Sequence, residues 1–466
     1  MWLEPIIVSV LNHKWRRHSE PSVAGLMLGR AADESHRAIV WPDDKRAEHA
    51  VVVGKTGSGK THCMESLASS LMKRSEPFVF FDYHGDATQH LVRLASVHPD
   101  GARRLVVVDP TDPQCSPGLN PLEIRSAAEN AFGRSAELAA ILRARWGVDA
   151  FGARTEELLR NTLFVLSANS YTLVEAPLLL TSRPFRDQLV MNLGPSDIAD
   201  YWRDRYEPLS DPMKAAFREP LLNKITGFLT EPACRHLLGQ PKSTFTFADA
   251  IERGQWIILH LPKGKLRDHA HTLGNLIFAR LQFELFARVN QPEHKRRLVT
   301  VFCDEVQNLA ENGIATLLAE GRKFRGSIVC GLQYWEEISR ELRGALLSAG
   351  THMFFQVSAS DAGVLASELS VAAKHRYHED LTTLPRGEAI VRIGATAPVH
   401  IRVPPLPKVR SSDSALSALH SLSSHQYAVD RSEIEREIQA RRAAFRSSPI
   451  TQLTKLDATD EGQADW

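Results

Sequence analysis

Apolar residues along this chain follow two rhythms. Short runs of β-branched and aromatic residues, each ending at a polar turn, alternate with stretches where apolar positions recur every three or four residues. Val51–Val53, Phe78–Phe81 and Leu105–Val108 are runs of the first kind. Their continuous apolar character predicts strands of a parallel sheet, buried on both faces. Trp256–Leu261, Leu298–Cys303 and Ser327–Gly331 repeat the pattern, and His352–Val357 and Glu388–Ile393 are two further strand candidates. Between the first two runs, Met64, Leu67, Ala68, Leu71 and Met72 fall on one helical face. This alternation predicts an α/β fold with a doubly wound sheet.

The rhythm changes from about 122 to 245. Strand signals vanish, and the segments 126–146, 153–169, 186–205 and 213–238 read as helices. Leu158, Leu159, Thr162, Leu163 and Leu166, for example, line one side. The expected organisation is therefore an α/β domain at 49–121 and 246–405, interrupted by an all-helical insertion at 122–245. Helices at about 268–289 and 313–325 belong to the second part of the α/β domain. Residues 1–48 read as a leader. Its basic run His13–His18 suits either phosphate contact or a solvated patch. At the other end, 406–466 reads as a Ser-rich linker (Ser411–Ser424), a charged helix (Arg431–Arg446) and a disordered acidic tail.

Composition narrows the class. The chain has 466 residues and a formal net charge of +1, so it is not a uniformly basic binder. Positive charge directed at a nucleic acid would have to be local, as along a channel. Five scattered cysteines without a C-x-x-C pair argue against structural zinc and a disulfide framework, and fit a reducing cytoplasm. No apolar run reaches the ~20 residues of a bilayer span, and Ile6–Leu11 lacks the features of a signal peptide. A cytoplasmic protein with no membrane span of its own is expected.

The chemistry concentrates at the end of the first strand. Ala50–Thr61 reads AVVVGKTGSGKT, a strand followed by G-x-x-x-x-G-K-[ST] and then a helix. That is the arrangement of a phosphate-binding loop. Gly54, Lys55, Thr56, Gly57, Ser58, Gly59, Lys60, Thr61 and His62 are the expected nucleotide-binding residues. Glycines allow the backbone to wrap a phosphate, Lys60 reaches the β- and γ-phosphates, and the Thr61 hydroxyl suits Mg²⁺. A second site is needed for hydrolysis, and LVTVFCDE supplies it. Asp304 is expected near Mg²⁺ through a water, and Glu305 as the group that orients and deprotonates the attacking water. Gln333, after the strand IVCGL, is a candidate γ-phosphate sensor. Arg322 in EGRKFR is a candidate for a neighbouring subunit's γ-phosphate, with Arg325 as its substitute. Asp82, His84 and Asp86 form a polar cluster at another strand end, suited to a Mg²⁺ shell or to a hydrogen-bonded turn. His269 and His271 lack convincing metal-ligand spacing and receive no role.

Taken together, GKTGSGKT at 54–61, FFDYHGD at 80–86, LNP at 119–121, FCDE at 302–305, EGRKF at 320–324 and GLQ at 331–333 resemble the HerA/FtsK superfamily of ring-forming DNA-translocating ATPases. The likeness is to the conjugative coupling proteins and related type IV secretion ATPases, which also carry an all-helical domain inserted in the motor domain. The resemblance covers roughly residues 49–405. It implies a RecA-like motor domain, ATP and Mg²⁺ as cofactors, a homohexamer, and DNA moved through a central channel. It places the family's trans arginine on Arg322 and its motif-three glutamine on Gln333. Coupling proteins usually carry an N-terminal membrane anchor, and no segment here reads as one. Two other roles stay open: a scaffold ATPase that assembles an effector such as a nuclease, and a secretion ATPase working with a membrane complex.

Overall fold

The computed structural model of the protein describes residues 24–125, 129–146, 152–409 and 413–446. The chain forms two compact units. One comprises residues up to Val108, Phe247–Gly264 and Glu284–Gln426; the other comprises Asp109–Thr246, Lys265–Phe283 and the chain from Tyr427.

The first unit is built on an eleven-stranded sheet. Its strands are β1 (Gly25–Ala31), β2 (Ala38–Pro42), β3 (Ala50–Val53), β4 (Phe78–Asp82), β5 (Leu105–Val108), β7 (Trp256–His260), β8 (Val299–Cys303), β9 (Gly326–Leu332), β10 (Thr351–Phe354), β11 (Glu388–Ile393) and β12 (Val399–Arg402). Between β5 and β7 in sequence lies β6 (Cys115–Pro117), which belongs to the other unit. The spatial order is β2-β1-β12-β11-β10-β3-β9-β8-β4-β7-β5. From β10 to β5 every pairing is parallel, and the uninterrupted apolar runs are these strands. The fold is thus the α/β doubly wound sheet that the alternation predicts. Because β3, β9, β8, β4 and β7 run in the same direction, their C-terminal tips share one edge, where an open α/β sheet binds its ligand.

The other four strands pair antiparallel. This corrects the reading of residues 1–48 as a leader, because β1 and β2 lie within it and extend the sheet. Leu26, Leu28 and Trp41 join the core that also holds Val52, Met64, Leu67, Phe80 and Phe302. The main chain approaches closely here, for a Cβ on Gly29 would stand 2.6 Å from the Arg402 carbonyl oxygen.

The Ser-rich stretch is another correction. Asp413–Tyr427 is helical, with Leu419 and Ser423 buried. The Ser423 hydroxyl accepts the Val107 N–H at 2.9 Å, so this helix satisfies a donor on edge strand β5 that would otherwise invite another chain. The basic run His13–His18 and the acidic tail lie outside the described residues.

Among its described residues, the regular structure of the second unit is helical apart from a two-stranded ribbon of β6 and β13 (Ala428–Asp430). Its longer helices are Ala131–Trp146, Ala153–Ala168, Asp211–Thr230 and Arg431–Arg446. The helix expected at 213–238 breaks at Glu231, whose ψ of 117° is extended, as the following proline favours. The segment expected at 186–205 breaks in the same way, with helix Arg183–Met191 ending ahead of Gly194-Pro195. Arg431–Arg446 docks on its own unit. Arg235 pairs bidentately with Glu435 at 2.9 Å, and Arg441 reaches the buried Glu175 at 2.9 Å. No helix among the described residues is long and apolar enough to cross a membrane.

Candidate functional site

The loop after β3 is shaped by its glycines. Gly57 and Gly59 have φ of 78° and 115°, values that a side chain opposes. A Cβ on Gly54 would stand 2.6 Å from both Phe355 Cβ and Ser58 Oγ. The helix Lys60–Lys73 begins at once, and its first internal bond runs from Cys63 N–H to Gly59. The N–H groups of Lys60, Thr61 and His62 precede that bond, which is the geometry of an anion site at a helix N-terminus. The His62 ring pairs with the Pro404 carbonyl at 2.9 Å, so only its main chain faces the loop.

Two buried groups test the fit of a nucleotide. Ser58 Oγ is buried without a partner. Lys60 is only 6% exposed. Burial makes its ammonium less basic, while the charges of Asp304 and Glu305 oppose that shift. A buried cation and an orphan hydroxyl beside the open N–H groups of a helix N-terminus fit a phosphate chain.

Asp304 and Glu305 follow β8, two strands from β3. Thr61 Oγ1 donates to Asp304 Oδ2 at 2.5 Å, so the two expected Mg²⁺ residues touch. Burial pushes the Asp304 carboxyl above its usual range, against the Thr61 hydrogen bond and the charge of Lys60. A buried hydroxyl–carboxylate pair of this kind suits a hydrated divalent cation. Among the described residues no group of three or more His, Cys, Asp or Glu side chains is placed to hold a metal.

Glu305 turns into the left-handed region at φ 61°, and its carboxylate meets four donors. Oε1 accepts from His84 Nε2 at 2.9 Å and Gln333 Nε2 at 3.1 Å. Oε2 accepts from Asn308 Nδ2 at 2.9 Å and from the Lys263 ammonium. Burial pushes this acid up, but the bonds from His84, Lys263 and Asn308 outweigh it and hold the carboxyl well below its ordinary value. Gln333 also accepts from Thr56 Oγ1 at 2.8 Å. It therefore spans from the phosphate loop to Glu305 across the intervening strand β9.

Arg322 stands elsewhere. It precedes β9, whereas Gln333 follows it, so Arg322 lies at the opposite edge of the sheet. Its side chain is 67% exposed and pairs with Glu48 at 3.3 Å. The structure does not bring Arg322 to its own chain's phosphate loop. Arg325 sits at the same edge with φ 56°, its carbonyl accepting from Val299 N–H.

The polar cluster after β4 divides. Asp82 is buried and accepts from the N–H groups of His84, Gly85 and Thr88 and from the Thr88 hydroxyl. It is the hydrogen-bonded turn of the two expectations, and Asp86 is exposed at the start of a helix. His84 instead reaches Glu305. Lys263, Asn308 and Glu65 were not singled out from the sequence. Lys263 was findable as a lysine just past a strand's C-terminal tip. Glu65 lies one helical turn beyond Thr61, its carboxyl raised to about 7 by burial and by the nearby charges of Asp82, Asp86 and Asp304.

Residues 27–131 match the sequence profile of the central domain of helicase HerA. No curated protein matches the sequence. Among solved structures, the chain is similar to plasmid coupling protein TrwB in complex with the non-hydrolysable ATP analogue ADPNP. The identity is 17% and the TM-score 0.61, over 86% of this chain and 94% of that one. TrwB in complex with ADP and Mg²⁺ is similar at 16% identity and TM-score 0.60, over 86% and 94%. VirB4 of Thermoanaerobacter pseudethanolicus is similar at 14% identity and TM-score 0.53, over 85% and 98%. At these identities the likeness is one of fold. The fold resembles that of plasmid coupling protein TrwB and of VirB4.

Proposed function

We propose that this protein is an ATP-hydrolysing DNA translocase, working as a ring of six identical subunits with active sites shared between neighbours. The observation that carries the reading is Gln333, which joins Thr56 of the phosphate loop to Glu305 and so links the nucleotide's cradle to the general base. ATP with Mg²⁺ supplies the reactive phosphoanhydride and the neutralising charge. In the chain itself, Lys60 and main-chain N–H groups of the Gly54–His62 loop bind the phosphates, those of Gly54, Lys55 and Ser58 excepted because they donate to the carbonyls of Leu332, Gln356 and Lys55, and Thr61 with Asp304 orients the cation. Glu305 takes a proton from the attacking water, and Gln333 positions that water. Arg322 serves a neighbour's site, where a guanidinium stabilises transition-state charge; its exposure at the far edge of the sheet supports this role. TrwB was crystallised with ADPNP and with ADP and Mg²⁺, which supports the choice of cofactors.

ATP turnover measured without DNA, with single-stranded DNA and with double-stranded DNA, alongside particle mass with nucleotide, tests this reading. DNA-stimulated hydrolysis by a hexamer is expected. DNA-independent hydrolysis favours a second reading, a ring ATPase that assembles an effector such as a nuclease or serves a secretion complex. The near-neutral net charge supports that second reading, as does the fold likeness to VirB4.

A further inference from the structure

A carboxylate offers about four lone-pair sites to hydrogen-bond donors. Those of Glu305 are taken by His84, Gln333, Lys263 and Asn308. A group in that condition is held in place but is poorly able to accept a proton from water. The four donors are not equivalent. Asn308 follows three residues later in the same turn and belongs to the local fold. Gln333 belongs to the phosphate loop through Thr56. Lys263 and His84 arrive from the tips of β7 and β4, on the side of Glu305 away from the loop. Lys263 carries a positive charge, as His84 does when protonated, and both reach solvent. The side chain of His84 is 53% exposed and that of Lys263 is 30% exposed. Lys263 is steadied by its N–H bond to the Tyr83 carbonyl at 3.0 Å and by the Tyr83 ring 5.6 Å from its ammonium.

We propose that Lys263 and His84 are positioning residues that withhold Glu305 from the attacking water, and that a phosphodiester backbone drawn to these two solvent-reaching side chains releases it. The inference rests on the reading of Glu305 as general base. Phosphate oxygens compete well for both groups, since charge-assisted bonds to phosphate are among the strong ones. Their departure frees one lone pair on each carboxylate oxygen for the attacking water. Idle hydrolysis is thereby kept low until nucleic acid is engaged.

The full-length chain is assayed for ATP turnover with and without double-stranded DNA, as wild type, Lys263→Met, Lys263→Arg, His84→Ala and Glu305→Gln. Lys263→Met is expected to raise the DNA-free rate by on the order of fivefold and to bring the ratio of stimulated to unstimulated rate close to one. His84→Ala, at a half-exposed position that folding tolerates, moves both values the same way by less. Lys263→Arg keeps the wild-type ratio. A ratio unchanged in both Lys263→Met and His84→Ala overturns the proposal, as does a wild type that DNA does not stimulate. Normal hydrolysis by Glu305→Gln overturns instead the reading of the base on which the proposal stands.

Discussion

Gln333 Nε2 lies 3.1 Å from Glu305 Oε1, and the same side-chain amide accepts the Thr56 hydroxyl at 2.8 Å. One amide therefore registers the phosphate loop and the acid that follows β8. Gln333→Ala removes this link without touching the loop's main-chain donors. Nucleotide affinity is expected to stay within about threefold while kcat falls roughly tenfold to a hundredfold. Equilibrium binding of a fluorescent ATP analogue, run beside steady-state turnover, separates the two quantities.

Thr61 and Asp304 form a 2.5 Å pair. Replacing either by a residue that keeps its shape, Thr61→Val or Asp304→Asn, is expected to raise the Mg²⁺ concentration for half-maximal turnover by about tenfold or more. The nucleotide affinity measured without Mg²⁺ should hardly change. A Mg²⁺ titration of turnover checks this.

Arg322 pairs with Glu48 and is 67% exposed at the edge of the sheet away from the loop. Arg322→Ala alone and Lys60→Ala alone are each expected to lose at least about 95% of turnover, given the 10³-fold or larger effects of such arginines. Mixed in one assembly, they should regain activity, because some interfaces then combine an intact Lys60 with an intact Arg322. Mixtures that stay as inactive as the separate variants would show that Arg322 serves no neighbour.

The parallel core was legible because its strands are unbroken apolar runs, a pattern that strands buried on both faces can hardly avoid. In the antiparallel margin β11 was legible as the strand candidate Glu388–Ile393, whereas β1, β2 and β12 were not. β1 and β12 carry Arg30, His400 and Arg402 among their apolar residues, and half-solvated strands of four to seven residues leave too weak an alternation to separate from loop. The helix Asp413–Tyr427 was hidden by serines whose purpose is tertiary, as Ser423 shows by capping the Val107 N–H. At the site, Lys60, Thr61, Asp304, Glu305 and Gln333 could be read because each follows an apolar strand in a motif of fixed spacing. His84 could be read only as part of a polar cluster and Lys263 only as a lysine past a strand tip; their contact with Glu305, far away in sequence, is recorded in no local spacing.

Stability should fall in mild acid for a definite reason. Burial lowers His49 to about 4, and burial with the nearby Arg392 lowers His352 to about 4, from 6.5. His49 Nδ1 accepts the Ile328 N–H at 3.2 Å and must be unprotonated to do so. The folded values lie below the unfolded ones, so this stability is fully present above pH 6.5 and is lost as pH falls towards 4. Each unit of displacement corresponds to about 1.4 kcal/mol. His49→Asn keeps a side-chain acceptor that does not titrate. It should flatten the fall of Tm between pH 6.5 and 4 as followed by calorimetry.

Arg441 holds the buried carboxylate of Glu175 and the Gly239 carbonyl. Arg441→Ala leaves Glu175 buried without its cation, at a cost of roughly 3 kcal/mol. Limited proteolysis should then cut within Arg431–Arg446 faster than in wild type, and Tm should drop by several degrees.

The most direct test of the account is Glu305→Gln, measured for nucleotide binding and for hydrolysis in the same preparation. The account predicts ATP affinity close to that of wild type, with turnover reduced at least about a hundredfold whether or not DNA is present. Turnover at the wild-type rate with ATP still bound would contradict it.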